Sequence, residues 1–209
     1  MTFAKLNSAL LAAVLFASSA SATAVISDPF SIVNGQFYDL GANTPNPDYQ
    51  GAFLGLFDAA TGQIRVGGQQ TTSESDGSSV LGSSLRYRIY LTSAGPGGSF
   101  ATLGEPLQHS FPGAVKQWGT SVAGSNTVDR TVTLSLAGFA PGTYTLEISS
   151  FAITNAIGAP RQVENDNGGS HYQASFIVVP EPSWFGLLAL PSLVATALLV
   201  RGRRGIDRA

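Results

Sequence analysis

The chain contains no cysteine. Disulfide staples, thiolate metal ligands and thiol nucleophiles are therefore excluded, and the fold must rest on burial and backbone hydrogen bonds. Histidine is scarce: two residues among 209, His109 in E-P-L-Q-H-S and His171 in N-G-G-S-H-Y. Both stretches are polar or glycine-rich and read as surface loops. No G-x-S-x-G, H-E-x-x-H or Walker-type glycine loop occurs, which removes the nucleophile elbow, the zinc-protease helix and the phosphate cradle. Carboxylates of the kind that pair for glycoside hydrolysis fall mostly in turns, and no two stand apart from the rest. Val25 to Val179 holds 11 acidic and six basic residues, a net charge of −5 and the wrong sign for nucleic acid. The sequence reads as a non-enzymatic protein without a resident cofactor.

Charge is also sparse, at 11% of residues, against 44% apolar. The apolar residues concentrate at the two ends. Met1 to Ala24 has Lys5 as a positive start, an apolar run from Leu10 to Ala17, and small residues that contain A-x-A twice, ending at Ala22 and at Ala24. That order is the pattern of a secretory signal peptide, with cleavage expected after Ala24 and Ala22 as the close alternative. Removing both ends leaves residues 25–178, enough for one domain with its own core.

Within that domain, alternation replaces helical periodicity. Leu85, Tyr87, Ile89 and Leu91 alternate with Arg86, Arg88 and Tyr90. Val132, Leu134 and Leu136 alternate with threonine and serine, and Tyr144, Leu146 and Ile148 alternate with Thr145 and Glu147. Phe176 and Val178 mark a last strand that Pro180 ends. Further strands are expected at Phe30–Leu40, Gly51–Phe57, Gln63–Gly67 and Phe151–Thr154. The fold class is all-β: an antiparallel sandwich, Greek-key or jelly-roll-like, of eight or nine short strands.

Individual residues carry further expectations. Pro141-Gly142 precedes Tyr144 at a strand start, which resembles the tyrosine corner of Greek-key sandwiches. Glu147 points outward to solvent. Trp118 belongs to the core rather than to a glycan pocket with Phe100 and Phe111. Gln69–Ser79, Q-Q-T-T-S-E-S-D-G-S-S, reads as a long polar loop. In E-N-D-N-G-G-S, Glu164, Asp166 and Asn167 offer oxygen ligands that suit calcium, although the same stretch serves equally as a hairpin loop.

The C-terminal end is the most specific feature. Val179-Pro180-Glu181-Pro182 leads into Trp184–Val200, 17 residues without a charge, followed by Arg201, Arg203 and Arg204. As a helix this run covers about 25 Å, enough for a thin bilayer core. Trp184 stands where an interfacial aromatic belongs, and the arginines assign the C-terminus to the cytoplasm, as a signal peptide at the other end also requires. Pro191 interrupts the span.

Triplet, short span and terminal arginine cluster together resemble the PEP-CTERM sorting signal, over residues 179–209. The resemblance implies recognition of Pro180, Glu181 and Pro182 by an exosortase, a membrane-embedded cysteine protease or transpeptidase of Gram-negative bacteria. It also implies retention by the arginine cluster, and release to the cell surface or an extracellular matrix rich in exopolysaccharide. The partners expected are signal peptidase, exosortase and the membrane before processing, with exopolysaccharide as a further candidate. The competing readings are a secreted carbohydrate-binding or carbohydrate-active protein and a permanently membrane-anchored envelope protein.

Overall fold

The computed structural model describes residues 24–41, 46–74, 79–120, 130–156 and 159–181. Ala22, Pro182, the segment Trp184–Val200 and Arg201, Arg203 and Arg204 lie outside the described residues.

The described chain is all-β, as its alternation predicts. Twelve strands run in order: β1 (Ala24–Val33), β2 (Gln36–Asp39), β3 (Phe53–Asp58), β4 (Gln63–Glu74), β5 (Ser79–Leu91), β6 (Ala101–Glu105), β7 (Leu107–Phe111), β8 (Val115–Gly119), β9 (Val132–Ser135), β10 (Gly142–Ala156), β11 (Ala159–Asn165) and β12 (Tyr172–Val179). They form two six-stranded sheets that pack as a sandwich. The first has the order β2-β1-β4-β8-β7, with β9 also on β4. The second has the order β3-β12-β10-β5-β6, with β11 also on β10.

Each sheet is organised by one long strand. β4 pairs with β1 along one side, while β9 and β8 share the other, at Gln63–Val66 and Gln69–Ser73. β10 pairs with β5 on one side, and β12 and β11 share the other. Side chains alternate across each strand, so one face of each sheet turns inward. Ile64 and Val66 from the first sheet meet Leu85, Leu146, Ile148, Phe176 and Val178 from the second in one core. Burying each such side chain contributes about 1.5–3 kcal/mol. Tyr49, from the segment before β3, is fully buried in the same core, and its hydroxyl donates to the Leu146 carbonyl at 3.0 Å. Burial pushes the Tyr49 phenol well above its ordinary pKa, and neighbouring Tyr38 adds to the effect.

The structure departs from the expected strand list in several ways. Phe30–Leu40 is a hairpin rather than one strand. Asn34 and Gly35 both have positive φ, 50° and 85°, which suits a two-residue turn whose twist matches its strands. Phe151–Thr154 is the continuation of β10 rather than a separate strand. The polar loop expected at Gln69–Ser79 is largely strand: β4 runs to Glu74 and β5 begins at Ser79. Gln70 and Thr72 are buried there, so polarity marks an interior hydrogen-bonding stripe rather than solvent exposure. The glycine-rich stretch at 166–171 is no hairpin either. β11 and β12 lie end to end along β10, and the chain makes an excursion between them. Finally, the sandwich is not purely antiparallel, because β3 runs parallel to β12 at the sheet edge.

Candidate functional site

Three groups of polar side chains and the chain exit are the places where chemistry could reside.

The first group lies on the outer face of the second sheet. Arg88 on β5 is the cross-strand partner of Glu147 on β10. Its Nε and Nη2 donate to the two carboxylate oxygens at 3.0 and 2.9 Å, a bidentate pair. His171 Nδ1 lies 2.6 Å from Glu147 Oε1. Phe100 covers the cluster: the Arg88 guanidinium sits 4.3 Å from its ring centre and the His171 ring 4.8 Å away. Glu147 points outward as expected but is only 1% exposed, because these side chains roof it over. Burial pushes its carboxyl up, yet Arg88 and His171 outweigh that and hold it below the usual carboxylate range. Both oxygens are engaged by protein groups, so the cluster ties the 166–171 excursion and the segment carrying Phe100 to the sheet. His171 is thus a paired residue, not a free surface loop, whereas His109 is exposed on β7 beside Phe111.

Beside this cluster, Arg86 stacks 4.2 Å over Phe151 and pairs with Glu164 at 2.5 Å. The residues expected as calcium ligands have other partners here. Glu164 turns to Arg86, the Asp166 Oδ1 accepts the Gly169 N–H at 3.0 Å, and the Asn167 Nδ2 donates to the His171 carbonyl at 3.3 Å. The three oxygen-bearing side chains serve three separate local partners. Among the described residues no three His, Cys, Asp or Glu side chains gather as a metal site. A cavity of about 480 Å³ opens between the start of β1 and this excursion, with Ile26 and Val163 on one side and Asn165 and Tyr172 on the other. Its polar groups are partly used internally, as the Tyr172 hydroxyl donates to Asn165 Oδ1 at 2.6 Å.

A third group is buried between the sheets. Glu105 ends β6, just before Pro106 carries the chain from the second sheet to β7 in the first. It is 3% exposed and accepts hydrogen bonds from Gln70 Nε2 at 2.7 Å and from the Ser83 hydroxyl. Gln70 Nε2 also donates to the Phe151 carbonyl at 3.2 Å. Burial raises the Glu105 pKa to about 7, moderated by the bonds from Ser83 and Gln70. In the sequence Glu105 is one of several unremarkable carboxylates, because nothing in G-E-P-L marks an interior carboxyl. The only hint was a polar stretch at Gln69–Glu74 inside a β domain.

The remaining sequence candidates fall at the edges of the domain or within its core. The Tyr144 hydroxyl donates to the Ala140 carbonyl at 2.9 Å while its ring stacks on Phe176. Trp118 is buried, with Nε1 donating to Thr72 Oγ1 at 3.0 Å. Phe100, in the segment before β6, packs on His171, and Phe111 ends β7 as an exposed residue beside His109. Ala24 is the first residue of β1 and is 6% exposed, packed with Val80, Trp118 and Ala152. Pro180 and Glu181 are exposed immediately after β12. Among the described residues no helix is long and apolar enough to cross a membrane. Comparison with known protein families, curated proteins and solved structures found no match to this chain.

Proposed function

We propose that the chain is an exported, non-enzymatic surface or extracellular-matrix protein whose C-terminal signal is processed by an exosortase. The single observation that carries this reading is the way the chain leaves the sandwich. β12 is paired on both sides up to Val178, and Ala59 N–H still bonds to the Val179 carbonyl at 3.0 Å. Pro180 and Glu181 then stand exposed with no strand partner. Proline has no N–H for a sheet ladder and biases the residue before it to extended backbone. The motif therefore begins where the folded domain ends, as an unpaired strand that a protease can grip.

The domain geometry suits that address. Val178 is paired with Gly142 at the start of β10, whereas Ala24 packs against Ala152 ten residues further along. At the rise of a strand this separates the two ends by about 33 Å. The point of attachment and the start of β1 thus lie at opposite ends of the domain. The membrane span at Trp184–Val200 and the retention role of Arg201, Arg203 and Arg204 belong to the same reading, as does the association with exopolysaccharide. A glycan site built on Trp118 has no support, since that ring is buried and its N–H is already bonded.

Intact mass of the protein from its native host, measured separately on cell-bound and released fractions, tests the reading. Loss of the N-terminal leader together with loss of the chain beyond Val179–Pro182 is expected. A C-terminus intact through Ala209, found only with membranes, would identify a permanent anchor instead.

A further inference from the structure

Edge strands usually carry charge or proline that discourages contact. β3, F-L-G-L-F-D, carries neither before Asp58. Phe53 is 57% exposed and Leu56 65%, high values for large apolar side chains. Residues three apart on a regular strand would point to opposite faces. Here the register against β12 slips between Ser175 and Ile177, so that Phe53 faces Ser175 and Leu56 faces Ile177. Gly55 adopts φ 120°, a conformation L side chains rarely take, and this glycine permits the bulge. Leu54 and Phe57 remain packed on the core while Phe53 and Leu56 both turn outward beside Ile177. The exposed pair is thus built by a local backbone device, not left over from imperfect burial.

The strip has a defined neighbour. β12 runs parallel to β3, and Val179 is paired with Asp58. Only residues 180–183 separate Val179 from Trp184. Even fully extended they reach at most about 18 Å. We propose that, before the C-terminal signal is cut, the β3 edge lies on the lipid surface, with Phe53 and Leu56 inserted in the interfacial layer. This rests on the reading of residues 184–200 as a membrane span. β3 and β12 carry no Lys or Arg, and the charges at their C-terminal ends are Asp58 and Glu181, so the contact is apolar and needs no anionic lipid. After cleavage the short tether is gone, and two side chains alone do not hold the domain to the membrane.

The absence of cysteine makes the test direct. Leu56→Cys in the full chain, labelled with a polarity-sensitive fluorophore, is incorporated into phosphatidylcholine vesicles with and without brominated lipid. The expected result is a blue-shifted emission that brominated lipid quenches and that salt leaves unchanged. The same label at Leu81→Cys, toward the other end of the second sheet, should stay solvent-like. Phe53→Cys provides a second labelled position should the first variant not fold. A solvent-like label at position 56 in vesicles that hold the chain overturns the proposal. So does a label shielded only as protein density rises and not quenched by lipid, which would assign the edge to a second copy. If the chain does not float with vesicles at all, the membrane-span reading fails and this proposal falls with it.

Discussion

Gln70 on the first sheet donates from Nε2 to Oε2 of Glu105 on the second, at 2.7 Å, across the interior of the sandwich. The hydrogen-bond partners of Glu105 are Gln70 from β4 and Ser83 from β5, with Gly68 close beside it, and none of these ionises. An interior carboxyl with no cation beside it favours its proton, which is why its pKa rises to about 7 from an ordinary 4.5.

A folded value above the unfolded one makes the pH dependence of stability definite. The contribution of Glu105 is complete below about pH 4.5 and is lost as pH rises through 7, beyond which it no longer changes. The change across that window is about 3 kcal/mol. Urea unfolding of the wild type and Glu105→Gln from pH 4 to 8 measures it. The difference between the two curves should move in favour of the variant as pH rises. A difference that stays flat would mean that the carboxyl is charged throughout.

Arg88 and Glu147 predict the opposite trend. Glu147 is held below its usual pKa, so its pairing stabilises the fold above the carboxylate range and is lost as pH falls through it. Arg88→Met leaves a nearly buried carboxylate without its bidentate partner, and should cost about 3 kcal/mol at pH 7. The cost should be smaller at an acid pH below the lowered Glu147 pKa than at pH 7, because there the carboxyl is protonated in either protein. An equal cost at both pH values would point to lost packing on Phe100 instead.

Tyr144→Phe removes the hydroxyl that donates to Ala140 and leaves the ring stacked on Phe176. The expected loss is about 1 kcal/mol, the usual worth of one such hydrogen bond. Denaturant midpoints at unchanged slope would report it, and an unshifted midpoint would show that the bond adds nothing.

Ala24 bears on where the proposed leader would be cut. Its side chain packs with Val80, Trp118 and Ala152, and its backbone is registered against Glu74. Cleavage after Ala24 would remove a core residue and start the chain inside a sheet, whereas cleavage after Ala22 keeps β1 whole. N-terminal sequencing of exported protein should therefore read Thr23 first. A first residue of Val25 would show that the strand tolerates the loss.

How far the sequence reached differs from one strand to the next. Alternation in L-R-Y-R-I-Y-L and T-Y-T-L-E-I identified the cores of β5 and β10, because one apolar face repeats every second residue. The same rule missed β6, β7, β8 and β11, whose apolar positions are too few or too exposed to show a period. It also misread the second half of β4. There Gln70 and Thr72 are buried, and the Gln70 Nε2 and the Thr72 hydroxyl bond inside the sandwich to Glu105, Ser83 and the Trp118 indole.

Local chemistry by itself determined the all-β class, the tyrosine at the start of β10 and the burial expected of Trp118. Each depends on neighbours in the chain or on a period of two. Tertiary structure decided the rest. Arg88 meets Glu147 only because β5 and β10 pair in one register, 59 residues apart. Glu105 becomes an interior acid only because the chain changes sheets at Pro106 and meets Gln70 from the other side. Leu56 becomes an exposed residue only because a bulge at Gly55 turns it away from the core. A side chain's charge state and exposure are set by what folds over it, and that partner is fixed by register and layer rather than by adjacent residues.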